Sequence, residues 1–181
     1  RWLLATALFV SVASAQDRLA LCDACHGAGG VSQTAGTPSI AGQPKLFIEN
    51  QLVLIREELR PSPQKLPVVK GMNDAEITRL AEHFSKLPAK SAETGQADPI
   101  LAQRAIERAR VLHCGVCHLA DFKGQKQVPR LAAQREDYLA AEMRAYRDNR
   151  RKGGDTIMAA ALYGVSDADI DALAHFMSRL P

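Results

Sequence analysis

Aromatic residues are scarce in this chain, with one Trp, three Tyr and five Phe among 181 residues. Lobes built from so few large rings have little side-chain volume for a core and point to a staple or a bound group as part of the fold. Sustained strand alternation is missing, so sandwiches and barrels are excluded and an all-α chain is expected. Beyond residues 2–12 there is no apolar run long enough to cross a bilayer. Neither charge sign dominates: the formal net charge is +3, which gives no reason to expect a nucleic-acid partner. Neither a Ser/His/Asp set nor a carboxylate pair stands out as a hydrolytic centre. Cysteines number only four, and none lies outside two short pairs.

The first fifteen residues read as a leader. Trp2 to Val12 is almost wholly apolar, and Ala13-Ser14-Ala15 has the A-x-A form of a signal-peptidase site. Export to the periplasm follows. An uncleaved leader holding the chain to a membrane is the second reading.

The four cysteines make two motifs, Cys22-Asp23-Ala24-Cys25-His26 and Cys114-Gly115-Val116-Cys117-His118, which lie 92 residues apart. C-x-x-C followed at once by His is the attachment sequence for haem c. Two thiols add to the vinyl groups, and the next residue ligates the iron from the proximal side. Two disulfides would leave His26 and His118 unexplained. A zinc site has no need of a His directly after each pair, and a redox C-x-x-C lacks its β-α-β surroundings. Two haem c groups are therefore expected, on Cys22, Cys25 and His26 and on Cys114, Cys117 and His118.

The motifs belong to a longer repeat. Pro38-Ser39-Ile40-Ala41-Gly42-Gln43 matches Pro129-Arg130-Leu131-Ala132-Ala133-Gln134 at an offset of 91, and Asp74-Ala75-Glu76-Ile77 matches Asp167-Ala168-Asp169-Ile170 at 93. Such steady offsets indicate a duplicated domain. The expected division is residues 16–88 for the first lobe, 89–98 for a linker and 99–181 for the second. Helices are expected over 17–25, 44–59 and 74–87, and again over 99–117, 135–151 and 167–180, with Asn73 and Ser166 as N-caps. The stretch Arg144, Arg147, Arg150, Arg151 and Lys152 reads either as a solvated helix end or as a docking patch for an acidic redox partner.

Met143 and Met177 fall inside expected helices as core residues, whereas Met158 falls in an interhelical loop, twelve residues before Ile170. A Met thioether opposite His favours ferrous iron and closes it to small molecules. His83 and His175 read as polar-face or lobe-contact residues. His113, directly before Cys114, is poorly placed to turn to the same iron.

With the Pro-x-x-Ala-x-Gln segments, the Gln51-Leu52 helix and the Met…Ser-Asp-Ala-Asp-Ile…Leu-Ala ending, the chain resembles the dihaem cytochrome c4 family over nearly all of its length after the leader. The resemblance implies two tandem class I cytochrome c domains related by a pseudo-twofold axis, with their haems near the lobe interface. It also implies electron transfer in the periplasm between redox protein partners, a donor and a membrane oxidase or reductase. It implies Met158 as the distal ligand of the second haem. The first lobe departs from the pattern, because twelve residues before Ile77 stands Lys65. Lys65 as a neutral amine, Met72 after a loop rearrangement, and an open or water-bound iron are all left as possibilities there. That departure supports a second reading of the function, as a haem enzyme or the electron-delivering subunit of a dihaem oxidoreductase.

Overall fold

The computed structural model describes residues 15–181. The leader expected over residues 1–15 lies outside them except for Ala15, which opens the first helix. Among the described residues the secondary structure is helical, with a single isolated bridge between Gln125 and Val128. In the first lobe α1 is Ala15–His26, α2 Lys45–Arg56, α3 Leu66–Val69 and α4 Asp74–Lys86. In the second, α5 is Pro99–Val111, α6 Cys114–His118, α7 Glu136–Arg147, α8 Thr156–Leu162 and α9 Asp167–Ser178. No helix among the described residues is long and apolar enough to cross a membrane.

The long terminal helices start where the sequence says they should. The Asn73 side chain accepts from Glu76 N at 3.0 Å while Glu76 Oε2 accepts from Asn73 N at 2.9 Å, a reciprocal capping box. Ser166 Oγ accepts from Asp169 N in the same way at the head of α9. Asn73→Ala is expected to cost about 1 kcal/mol of stability, read as a lower midpoint in denaturant titration of the holoprotein.

Each lobe closes around its terminal helix. In the second, α9 packs on α5 and α7, burying Ile170, Leu173 and Met177 with Ala105, Ala109, Leu139, Met143 and Leu162 in one cluster. In the first lobe the apolar residues form two smaller clusters, Ile55, Val69, Met72, Ile77 and Leu80, and Ile48, Ala81 and Phe84. Leu19 and Leu52 pack against both.

Hydrogen bonds fix the repeat register independently of side-chain identity. Arg60 N donates to Leu54 O and Arg151 N to Ala145 O, an offset of 91. Leu66 N donates to Ser62 O and Ala159 N to Asp155 O, and Met72 N donates to Val69 O and Val165 N to Leu162 O, both at 93.

Three local expectations are corrected. The helix expected over 99–117 is two helices: α5 stops after Val111, His113 takes a left-handed φ of 55°, and α6 restarts at Cys114. In the first lobe α1 runs unbroken through the motif to His26. The helix expected over 135–151 ends at Arg147, because Asn149 (φ 52°) turns left-handed, a conformation Asn tolerates, and sends the Arg150 and Arg151 amides back to Ala145 O. Met158 lies not in a loop but in the first turn of α8, which starts early because the Asp155 side chain caps it by accepting from Ile157 N at 2.7 Å.

Candidate haem-attachment sites

Both motif histidines are held the same way. His26 is buried at the end of α1 with its Nδ1 2.7 Å from Pro38 O, and His118 is buried at the end of α6 with its Nδ1 2.9 Å from Pro129 O. A carbonyl can only accept, so Nδ1 carries the proton and Nε2 keeps a free lone pair. This is the orientation in which a histidine ligates a metal, with its other nitrogen tied to the backbone. Burial lowers both pKa values, chiefly by desolvation, which keeps the imidazoles neutral and able to ligate. In the first lobe the nearby Lys65 charge lowers His26 further.

The cysteines of each pair are unbonded thiols, one partly buried and one exposed. Cys22 is pushed up to about 11 by burial first and by Asp23 second, while burial also raises Cys114. Unbonded thiols beside a neutral, oriented His fit covalent attachment of haem c and ligation of its iron.

Lys65 stands at the N-cap of α3, half-buried, near enough to the first motif for its charge to act on Cys22 and His26. Desolvation lowers its pKa to about 8, with Arg60 and Arg151 adding repulsion. Met72 takes a different place. It is buried with Ile55, Val69 and Ile77, and its backbone bond is the one Val165 makes in the second lobe. Met158 is partly buried against the core of the second lobe, while Met143 and Met177 lie within that core. His175 accepts from Asp98 N at 2.9 Å and so ties residues 89–98 to α9. His83 is exposed beside Phe84.

The basic stretch is largely neutralised within the chain. Arg144 pairs with Asp167 and Asp171, Arg147 with Asp148 and Asp167, Arg150 with Asp148, and Arg151 with Glu142. Arg151 also lies over the Tyr146 ring at 5.0 Å. This surface is a self-compensated helix end rather than a free cationic patch.

The Pro-x-x-Ala-x-Gln repeats prove to be the lobe interface, a role not evident from the sequence. Gln134 accepts from Ser39 N at 2.7 Å and donates to Ser39 O at 2.8 Å. Gln43 accepts from Arg130 N and donates to Arg130 O, both at 3.0 Å. Each glutamine thus grips the residue that follows the other lobe's histidine-anchoring proline. The only sequence signal was that both repeats keep a glutamine five residues after that proline.

Comparison with known proteins agrees with this arrangement. The cytochrome c family model matches residues 104–181. The cytochrome c4 of Thiocapsa roseopersicina is 30% identical, with 88% of this chain and 87% of that one covered. A thiosulfate dehydrogenase electron acceptor of Thiomonas intermedia is 29% identical over 94% of this chain and 83% of its own length. The crystal structure of reduced recombinant cytochrome c4 from Pseudomonas stutzeri superposes with a TM-score of 0.83 at 26% identity, covering 92% of this chain and 97% of that one. The chain belongs to the cytochrome c4 family of electron-transfer cytochromes.

Proposed function

We propose that the protein is a periplasmic carrier with two haem c groups, one in each of two lobes (residues 16–88 and 99–181) joined by residues 89–98. The leader is read as a cleaved export signal. When bound, each haem supplies a one-electron ferric/ferrous couple. The observation that carries the reading is that His26 and His118 are oriented identically by proline carbonyls, each one residue after a C-x-x-C pair.

The residues divide the work simply. Cys22 and Cys25, and Cys114 and Cys117, hold the cofactor through thioethers, so it cannot be lost outside the cell. His26 and His118 ligate through Nε2. Met158 would supply a thioether to the second haem, which favours the reduced state. Lys65, in the matching register and close to the first motif, would supply an amine to the first. A lowered pKa makes its amine easier to free for ligation. Met72 is better explained as a core residue in the Val165 position.

The partners are redox proteins, a donor and an acceptor at the membrane. The relative in Thiomonas intermedia is named for accepting electrons from a thiosulfate dehydrogenase, which supports an oxidoreductase as the donor. An electron-delivering role within such a pair is the second reading; Lys65 beside the first motif is the observation that favours it.

Mass spectrometry of the exported protein after acid–acetone extraction is expected to give the polypeptide plus two haems. A polypeptide mass without haem, or with two disulfides, overturns the reading. His26→Ala and His118→Ala should each abolish the normal spectrum of one lobe and leave the other.

A further inference from the structure

Each motif histidine is joined to the opposite lobe through a single peptide group. The Pro38–Ser39 peptide accepts from His26 Nδ1 at its oxygen and donates from its N–H to Gln134 Oε1, both at 2.7 Å. The Pro129–Arg130 peptide accepts from His118 Nδ1 at 2.9 Å and donates to Gln43 Oε1 at 3.0 Å. Imidazole, peptide and glutamine thus make a relay of two hydrogen bonds. In both relays the glutamine comes from the lobe that does not hold the histidine.

The relays are enclosed and fixed. Ser39, Gln43, Arg130 and Gln134 are all buried, so water does not screen or replace these bonds. Each glutamine amide also donates back to the residue it grips, Gln134 to Ser39 O at 2.8 Å and Gln43 to Arg130 O at 3.0 Å. Gln134 Oε1 accepts in addition from Arg135 N at 3.0 Å, which ties it to the head of α7.

The oxygen and N–H of one peptide are conjugated. Donation from the N–H therefore loads negative charge on the oxygen, and bonds in such a chain strengthen one another. A stronger acceptor at Nδ1 makes the imidazole a more basic ligand through Nε2. A more basic ligand stabilises ferric iron and lowers the potential, since hydrogen bonding around the axial ligand tunes a haem.

We propose that Gln134 and Gln43 are positioning residues that act across the seam on the opposite lobe's iron ligand. Gln134 strengthens His26 as a donor and lowers the potential of the first haem; Gln43 does the same through His118 for the second. This rests on the two-haem reading given above.

The test uses exported holoprotein whose two haems have been verified by mass. Wild type, Gln134→Met, Gln134→Glu and Gln43→Met are compared by redox titration. The Nδ1–H signals of His26 and His118 are followed by NMR of nitrogen-labelled, reduced protein. Gln134→Met keeps the length of the side chain and removes its amide. It is expected to raise the first haem's potential and move the His26 signal upfield, with His118 almost unmoved. Gln43→Met should do the converse, raising the second potential and moving His118. Gln134→Glu still offers Ser39 N an acceptor, so its first-haem potential should sit at or below that of wild type. A seam that only held the lobes together would answer differently: both haems would move together, and Gln134→Glu would follow Gln134→Met. Either result overturns the proposal, as do potentials and signals in both Met variants that coincide with wild type. If Gln134→Met does not mature, Gln43→Met and Gln134→Glu decide by the same criteria. Absence of haem from the purified protein sinks the cofactor reading itself; bound haem with unmoved Nδ1–H signals sinks only the role of the glutamines.

Discussion

Met158→Ala is expected to let carbon monoxide bind at the second motif and to lower that haem's potential by on the order of a hundred millivolts, within the roughly 0.8 V over which axial ligands move haem potentials. The thioether is a soft donor that favours ferrous iron, and its loss removes both that preference and the cap over the iron. Ala is compatible with the first turn of α8, where Asp155 supplies the cap and Ile157 the first bonded amide. The fold should therefore survive, and the first haem should keep its spectrum. Carbon monoxide difference spectra and a redox titration check the outcome. A second haem unchanged in potential and closed to carbon monoxide rejects Met158 as its ligand.

The parts of this molecule that were legible in the sequence are the local ones. C-x-x-C-H needs only consecutive residues, and the capping box of α4 and the serine N-cap of α9 need only four. The repeat register was legible because duplication leaves matching letters, and backbone hydrogen bonds reproduce the same offsets. What sequence missed depends on distant partners. The acids that neutralise Arg144 and Arg147 come largely from α9, more than fifteen residues away, so a docking patch stayed open beside the favoured reading of a solvated helix end. The break before Cys114 hinges on a left-handed His113, which no Gly or Pro announces. Arg130 entered the sequence reading only as one position of the repeat; the folded interface shows it buried among carbonyls from both lobes.

The asymmetry between lobes follows the same logic. Both repeats use the same scaffold of α2, α3 and α4 or α7, α8 and α9, but the segment before α3 is shorter. The register shifts from 91 to 93 between Arg60 and Leu66, so the second lobe has two more residues there, in the stretch that includes Gly153 and Gly154. The shorter first-lobe segment contains Pro61 and Pro63 and reduces α3 to Leu66–Val69, with Lys65 at its cap. Arg60 and Arg151 meet nearby on one acceptor, Gln51 Oε1, at 2.6 and 3.4 Å. Lys65 thus lies within reach of cations from both lobes, whose charges add to burial in lowering its pKa.

Lys65→Met is accordingly expected to raise the potential of the first haem by on the order of a hundred millivolts and to leave the second almost where it was. A nitrogen donor is harder than a thioether and stabilises ferric iron, so in wild type the first haem should be the lower of the two. Electrons would then rest on the second haem and pass through the first only in transit, which suits a donor docking at the first lobe. The Met side chain has the length to take the place of Lys65, and it removes a cation from beside Arg60 and Arg151, so the substitution should not unfold the lobe. Near-infrared spectra of the oxidised protein separate the alternatives: wild type should show one Met–iron charge-transfer band's intensity, and Lys65→Met should show two. A wild type with two closely similar His/Met-type potentials and the intensity of two such bands would reject Lys65. The ligand would then have to be Met72, which could reach the iron only by leaving the core it shares with Ile55 and Ile77.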